Sequence, residues 1–276
     1  MKNKLAIIFD FDETLVEEST TAFVESLGVD SDKFWDETNN QLMIQGWDPV
    51  PAYLYKLIEL SNKSDKTKIT QKRLASFGKK VVYKNEVKNF FPRIISYIKD
   101  NYSKWEIEFY IISSGIGEII RNTEIAKYFK DIWASDFAYN NDGTIYFPKR
   151  VLSFTDKTRY IFQISKGMVG KDYENLPYVV NEKVSPEEYV IPIKNMIYIG
   201  DGMTDIPCFS MIKRFGGITI GVYDAQISTA YGKAVHFLKD KRVHGVFDAD
   251  YSENADLYQA IIKSVDNICM PILDID

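Results

Sequence analysis

Two aspartates, Asp10 and Asp12, stand two places apart in "AIIFDFDETL" (residues 6–15), directly after a run of apolar residues. Carboxylates this close repel each other, and a fold keeps them together only when a cation, a proton or a substrate offsets the repulsion. An ionised Asp10 carboxylate is a competent nucleophile toward phosphorus. A phosphate ester is itself anionic, so the encounter calls for a divalent cation, and Mg2+ favours hard carboxylate oxygens. On an extended backbone Asp12 points the same way as Asp10. From there it could protonate a leaving alcohol and then deprotonate a water.

Three other stretches hold residues that suit the same chemistry. "IISSG" brings Ser113, Ser114 and Gly115 to the end of an apolar run, where a hydroxyl and the first amides of a helix would cradle an anion. Lys157 in "FTDKTRYIF" opens a helix and Lys166 closes it; a helix start is the better place to meet a phosphoryl group, so Lys157 is the expected cation. "MIYIGDGMTDIPCF" runs an apolar strand into Asp201, turns at Gly202, and carries Asp205 on the first helical turn. Each stretch alone could be an ordinary turn or helix cap. Together they deliver acids or hydroxyls to the ends of three apolar strands, which is where an open parallel sheet binds its ligands. Four aspartates without histidine suit Mg2+ better than Zn2+.

The elements that must hold these residues follow from periodicity. "LAIIF" reads as a fully buried strand. Residues 16–91 read as helical: "TTAFVESLG", "SDKFWDETNNQLMIQG", "PVPAYLYKLIEL" and "TQKRLASFG", with "SNKSDKTK" as a polar loop. After Pro92, strands and helices alternate: helix "RIISYIKDN", strand "EIEFYIIS", helix "GIGEIIRNTEIAKYF", a hairpin around Asn141-Asp142-Gly143, helix "DKTRYIFQIS", strands "NMIYIG", "GGITIGVY" and "AVHFL", and a last helix capped by Asn254. This order predicts an α/β fold, a doubly wound and mostly parallel sheet with a Rossmann-like core. The expected division is residues 1–15 and 92–276 for the core and 16–91 for an inserted helical cap. Residues 167–192 fit no element by pattern.

Composition removes several functions. The net charge of −5 gives no basic face for nucleic acid. No apolar run approaches the roughly 20 residues of a membrane span. The N-terminal apolar stretch is too short for a leader and ends in acids, so it reads as the first strand. Cys208 and Cys269 make no disulfide framework, and the expected compartment is the cytoplasm. With only His236 and His244 present, histidine triads and histidine-rich zinc sites are disfavoured. Nothing in the sequence sets an oligomeric state.

The order "FDFDETL", "IISSG", a lysine, then "GDGMTD" resembles the haloacid dehalogenase superfamily of aspartate-nucleophile phosphotransferases, across the chain from Asp10 to Asp205. The resemblance implies a nucleophile at Asp10 that forms an aspartyl-phosphate, and a general acid/base at Asp12. It implies phosphate binding by Ser113, Ser114, Gly115 and Lys157. It implies Mg2+ held by Asp10, Asp201, Asp205 and the Asp12 backbone carbonyl. The helical insertion is similar to that of phosphoserine phosphatases. The expected activity is phosphoserine-phosphatase-like, but the ammonium-binding glutamate of those enzymes would fall at Ser19, beside Glu17 and Glu18, a departure at the place that sets phosphoserine specificity. Arg73 is the one arginine in the insertion and a candidate for a substrate anion. The expected activity is Mg2+-dependent hydrolysis of a small phosphorylated metabolite. A phosphomutase or a non-catalytic phosphate-binding regulator are the alternatives.

Overall fold

The computed structural model describes residues 3–270. The chain begins with β1 (Asn3–Phe9) and then leaves the sheet through four helices: α1 (Ser19–Ser26), α2 (Ser31–Asp36), α3 (Pro49–Lys63) and α4 (Gln71–Gly78). It returns through α5 (Val87–Asn101), β2 (Trp105–Ile116), α6 (Gly117–Arg121), β3 (Phe129–Tyr139) and β4 (Ile145–Arg150). The remainder is α7 (Asp156–Lys166), β5 (Met196–Gly200), α8 (Ile206–Arg214), β6 (Ile218–Tyr223), α9 (Ala230–Lys239), β7 (Gly245–Asp248) and α10 (Asp256–Cys269).

The seven strands lie in the order β4-β3-β2-β1-β5-β6-β7, all parallel except the β3–β4 hairpin. The expected doubly wound sheet is therefore present. β1 reads as uniformly apolar because both of its faces are covered. Leu5, Ile7 and Phe9 meet α5 and α10 on one face; Ala6 and Ile8 meet α7 and α8 on the other. The strand order reverses at β1, which pairs with β2 on one side and β5 on the other. The carboxyl ends of those three strands thus adjoin.

Several elements differ from the sequence reading. "AVHFL" lies inside helix α9, and the seventh strand is "GVFD" instead. Ala234 and Phe237 are buried three residues apart while His236 and Leu238 face out, which is a helical period. "GIGEIIRNTEIAKYF" is not one helix: α6 stops at Arg121 and a separate 3-10 segment covers Glu124–Tyr128. α5 begins at Val87 and carries Pro92 in its interior. Phe90 and Phe91 are fully buried against Phe9, and this edge-on aromatic packing offsets the helical hydrogen bond that proline removes. The N-cap of α10 is Ala255, without a side-chain cap, so Asn254 does not fill that role.

The helices between β1 and β2 build their own apolar cluster from Phe23, Val24, Leu54, Leu57 and Leu74. It is not closed on itself. Ile116, Ile119, Phe137 and Ile145, from β2, α6, β3 and β4, belong to the same cluster. The chain just before α4 also pairs with the hairpin turn: the Gln71 amide donates to the Gly143 carbonyl at 2.9 Å and the Ile145 amide to the Ile69 carbonyl at 3.0 Å.

Candidate active site

Asp10 immediately follows β1, and its amide continues the ladder by donating to the Ile199 carbonyl of β5 at 2.9 Å. The chain then turns sharply. The amides of Thr14, Leu15 and Val16 all converge on the Phe11 carbonyl, and Glu13 takes a positive φ of 53°. Asp10 is almost fully buried, and its Oδ1 accepts the Phe11 amide at 2.7 Å. Oδ2 accepts from Lys157 Nζ at 3.0 Å. The same ammonium donates to Asp205 Oδ1 at 2.7 Å and to Thr204 Oγ1 at 3.1 Å. Lys157 is wholly buried at the first turn of α7. Burial works against its charge, yet Asp10 and Asp205 together outweigh burial and hold its pKa above that of an ordinary lysine.

Oxygens of Asp10, Asp201 and Asp205 lie within 4.8 Å of one another. Burial, reinforced by the charges of Asp10 and Asp205, drives the Asp201 carboxyl well above the usual carboxylate range. Burial and Asp10 push Asp205 up to about 6, against the pull of Lys157. Asp201 and Asp205, made reluctant to ionise by burial and by neighbouring charge, form with Asp10 a fitting donor set for a small divalent cation, which would relieve both effects. The all-oxygen ligand set fits Mg2+.

The Asp12 carboxylate stands outside that group. Its Oδ1 accepts the Ser19 amide at 2.8 Å from the start of α1. Burial and the nearby Glu18 charge raise its pKa to about 8, so at neutral pH it carries a proton. A Cβ at position 115 would sit 2.5 Å from Asp12 Oδ2, so Gly115 leaves the space this side chain occupies. Ser113 is buried at the end of β2 and its hydroxyl accepts the Gly115 amide at 3.0 Å. The Ser114 hydroxyl is buried without a hydrogen-bond partner.

The structure thus brings Asp10, Lys157, Asp201 and Asp205 together, with Asp12 reaching Gly115 near the end of β2. It does not bring Lys166, whose ammonium donates to the Val180 and Glu182 carbonyls. Nor does it bring Arg73, whose guanidinium is spent on the Lys66 and Lys68 carbonyls. Glu18 caps α1 by accepting the Thr21 amide.

Sequence reasoning missed three contributors. Tyr198 on β5 donates to Asp205 Oδ1 at 2.8 Å. Thr204 holds Lys157, as above. Tyr53 of α3 donates to the Ser114 carbonyl at 2.6 Å, tying the helical segment to the last residues of β2. A tyrosine inside the apolar strand "MIYIG" was the one visible signal among them, because a buried phenol needs a partner.

The family model for haloacid dehalogenase-like hydrolases matches residues 7–210, and the chain belongs to that family. A protein of Borreliella burgdorferi described as uncharacterized is 28% identical over 289 residues, covering 96% of this chain and 97% of that protein. Among solved structures, a haloacid dehalogenase family hydrolase of Salmonella enterica serovar Typhi superposes with a TM-score of 0.59 at 14% identity, covering 89% of this chain and 67% of that one. An apo phosphoserine phosphatase gives 0.58 at 15% identity, with coverage of 94% and 98%. A phosphoserine phosphatase holding an analogue of its phospho-aspartyl intermediate gives 0.55 at 16% identity, with coverage of 95% and 99%. At these identities the structural likenesses describe the fold.

Proposed function

We propose that this hydrolase is a Mg2+-dependent phosphatase of a small phosphomonoester. The observation that carries the reading is the division of labour between Asp10 and Asp12. One carboxylate is held against a buried ammonium beside two other acids, and the second, two residues on, is separate from that group and protonated. In the first step an Asp10 oxygen forms a bond to phosphorus as the ester P–O bond breaks, and Asp12 gives its proton to the departing alkoxide. In the second, Asp12, now a carboxylate, takes a proton from water while the water oxygen displaces Asp10 from phosphorus. The sum is ester plus water to alcohol plus phosphate. Lys157 and the Ser113–Gly115 stretch near the end of β2 face the phosphoryl oxygens in this reading as charge shifts onto them. Asp10, Asp201, Asp205 and the Asp12 backbone carbonyl would hold Mg2+, which when bound supplies the positive charge that lets one anion approach another.

Residues 16–91 serve in this reading as a cap that excludes bulk water from the aspartates. The fold likeness to phosphoserine phosphatases supports a phosphatase, while Ser19 argues for a substrate without an ammonium group at that place. The Ser19 amide is already engaged by Asp12 and its hydroxyl is buried without a partner. Cys208 and Cys269 are free and buried, which agrees with a cytoplasmic setting. Among the described residues no helix is long and apolar enough to cross a membrane.

The test is Asp10→Asn, assayed for phosphate release from a panel of phosphorylated metabolites with Mg2+. Turnover should vanish while the melting midpoint stays near that of the parent. Activity surviving in this variant, or in excess chelator, would refute the reading. Transfer of the phosphoryl group to a second sugar hydroxyl, with no free phosphate, would indicate a mutase instead.

A further inference from the structure

A cavity of about 1080 Å³ is lined by none of Asp10, Asp12, Asp201 and Asp205. It lies along the sheet edge between β3, β4, α7 and the segment 168–177, part of the stretch that sequence pattern left without an element. Its size suits a small-molecule ligand.

Three features of the lining bear on what it would take. Tyr110, Trp133 and Tyr160 form a stacked column, with Trp133 and Tyr160 ring centres 4.9 Å apart and both lining the cavity. Gln163, one turn further along α7, is 7% exposed and lines the cavity, and its side-chain amide makes no hydrogen bond to another described residue. This amide offers the cavity both a donor and an acceptor. Finally, six cations and five acids line the cavity, and several of the cations are unpaired. Lys130, Lys149, Arg159 and Lys171 have no carboxylate partner among the described residues. The Arg159 guanidinium lies 4.6 Å from the Tyr160 ring centre and donates to its hydroxyl. Of the five lining acids, Asp136 meets Arg121 and Arg150, Asp131 the Gly170 and Ile132 amides, Asp156 the Ser153 amide and Glu118 Gln71, while the Glu174 carboxylate has no partner among the described residues.

An aromatic wall, an amide with an unused donor and acceptor, and unpaired cations at the rim match a flat heterocycle joined to an anionic group. A glutamine amide pairs with the donor–acceptor edge of a nucleobase in this way. We propose that this cavity is a second ligand site, separate from the aspartates, for a nucleoside monophosphate, with Gln163 reading the base and Arg159 meeting the phosphate. The segment 168–177 forms its outer wall, pinned by the 2.8 Å bond from the Gly170 amide to Asp131.

The test is titration calorimetry of the whole protein with AMP, GMP, CMP and UMP in excess chelator, repeated with saturating inorganic phosphate. At least one nucleotide should bind, phosphate should not displace it, and Arg159→Ala and Gln163→Leu should each weaken it by about tenfold or more. Arg159 is exposed, so its truncation leaves the fold intact, and melting curves report on Gln163→Leu. The proposal is overturned if no nucleotide saturates below about 1 mM. It is equally overturned if phosphate competes the nucleotide away, or if affinity is unchanged in Arg159→Ala.

Discussion

At the scale of single residues, the site is arranged through small neighbours as much as through the acids. Gly115 and Gly200 each stand where a Cβ would fall 2.5 Å from a carboxylate oxygen, of Asp12 and Asp205 respectively. Gly115→Ala should therefore displace the Asp12 carboxylate without opening the core. The expected result is a fall in kcat of about 100-fold or more, the contribution of a general acid, with little change in melting midpoint. A variant that melts early while turnover per folded molecule is unchanged would contradict this. Tyr198 and Thr204 act on Asp205 and Lys157 and position these two groups.

At the scale of elements, the two chain crossings that connect the helical segment to the sheet are locked by one lysine. Lys84 is nearly buried and donates to Glu13 at 2.9 Å and to Asp224 at 2.7 Å, joining both crossings to the end of β6. Glu13 in turn accepts the Glu18 amide at 3.0 Å with its other oxygen. Lys84→Met removes the cation and leaves two half-buried carboxylates facing each other. The variant should lose about 2–4 kcal/mol in urea unfolding, less than a fully buried pair would cost because both acids keep some water. A loss under about 0.5 kcal/mol would mean the triad is solvated in practice.

The same scale explains what the sequence revealed. Strands buried on both faces, β1 and β5 above all, are legible as short apolar runs, and their ends pointed straight to Asp10 and Asp201. The hairpin was legible from Asn-Asp-Gly, whose Gly143 takes a positive φ of 81°. "AVHFL" was not, because five apolar-rich residues fit a strand as well as one helical turn until Phe209 is known to lie opposite Phe237. Lys84, Tyr53 and Gln163 were illegible for a related reason: their partners lie 61 or more residues away or have yet to arrive.

At the scale of the whole molecule, a cluster of reluctant acids ties stability to pH and to metal. Asp205 and Asp12 hold protons in the native state up to about pH 6 and about pH 8, whereas the unfolded chain releases them near 3.8. Between those limits the native state binds more protons than the unfolded one, so stability of the metal-free protein falls as pH rises, by about 1.4 kcal/mol per unit for each group. The Asp12 carboxylate lies outside the ligand group, whereas Mg2+ in the proposed site would bind the deprotonated Asp205 and return that residue's share of the energy. Its stabilising increment in denaturant titrations should therefore grow from pH 5 to pH 7.5. An increment independent of pH would place the ion elsewhere. The antiparallel pairing of Thr70 with Thr144 carries a different consequence for the same molecule. That bridge and a shared apolar seam fasten the hairpin to the helices. In the proposed reading of residues 16–91 as a cap, helices and hairpin would therefore tilt as one rigid jaw, with the bending left to the backbone around Glu13 and Lys84.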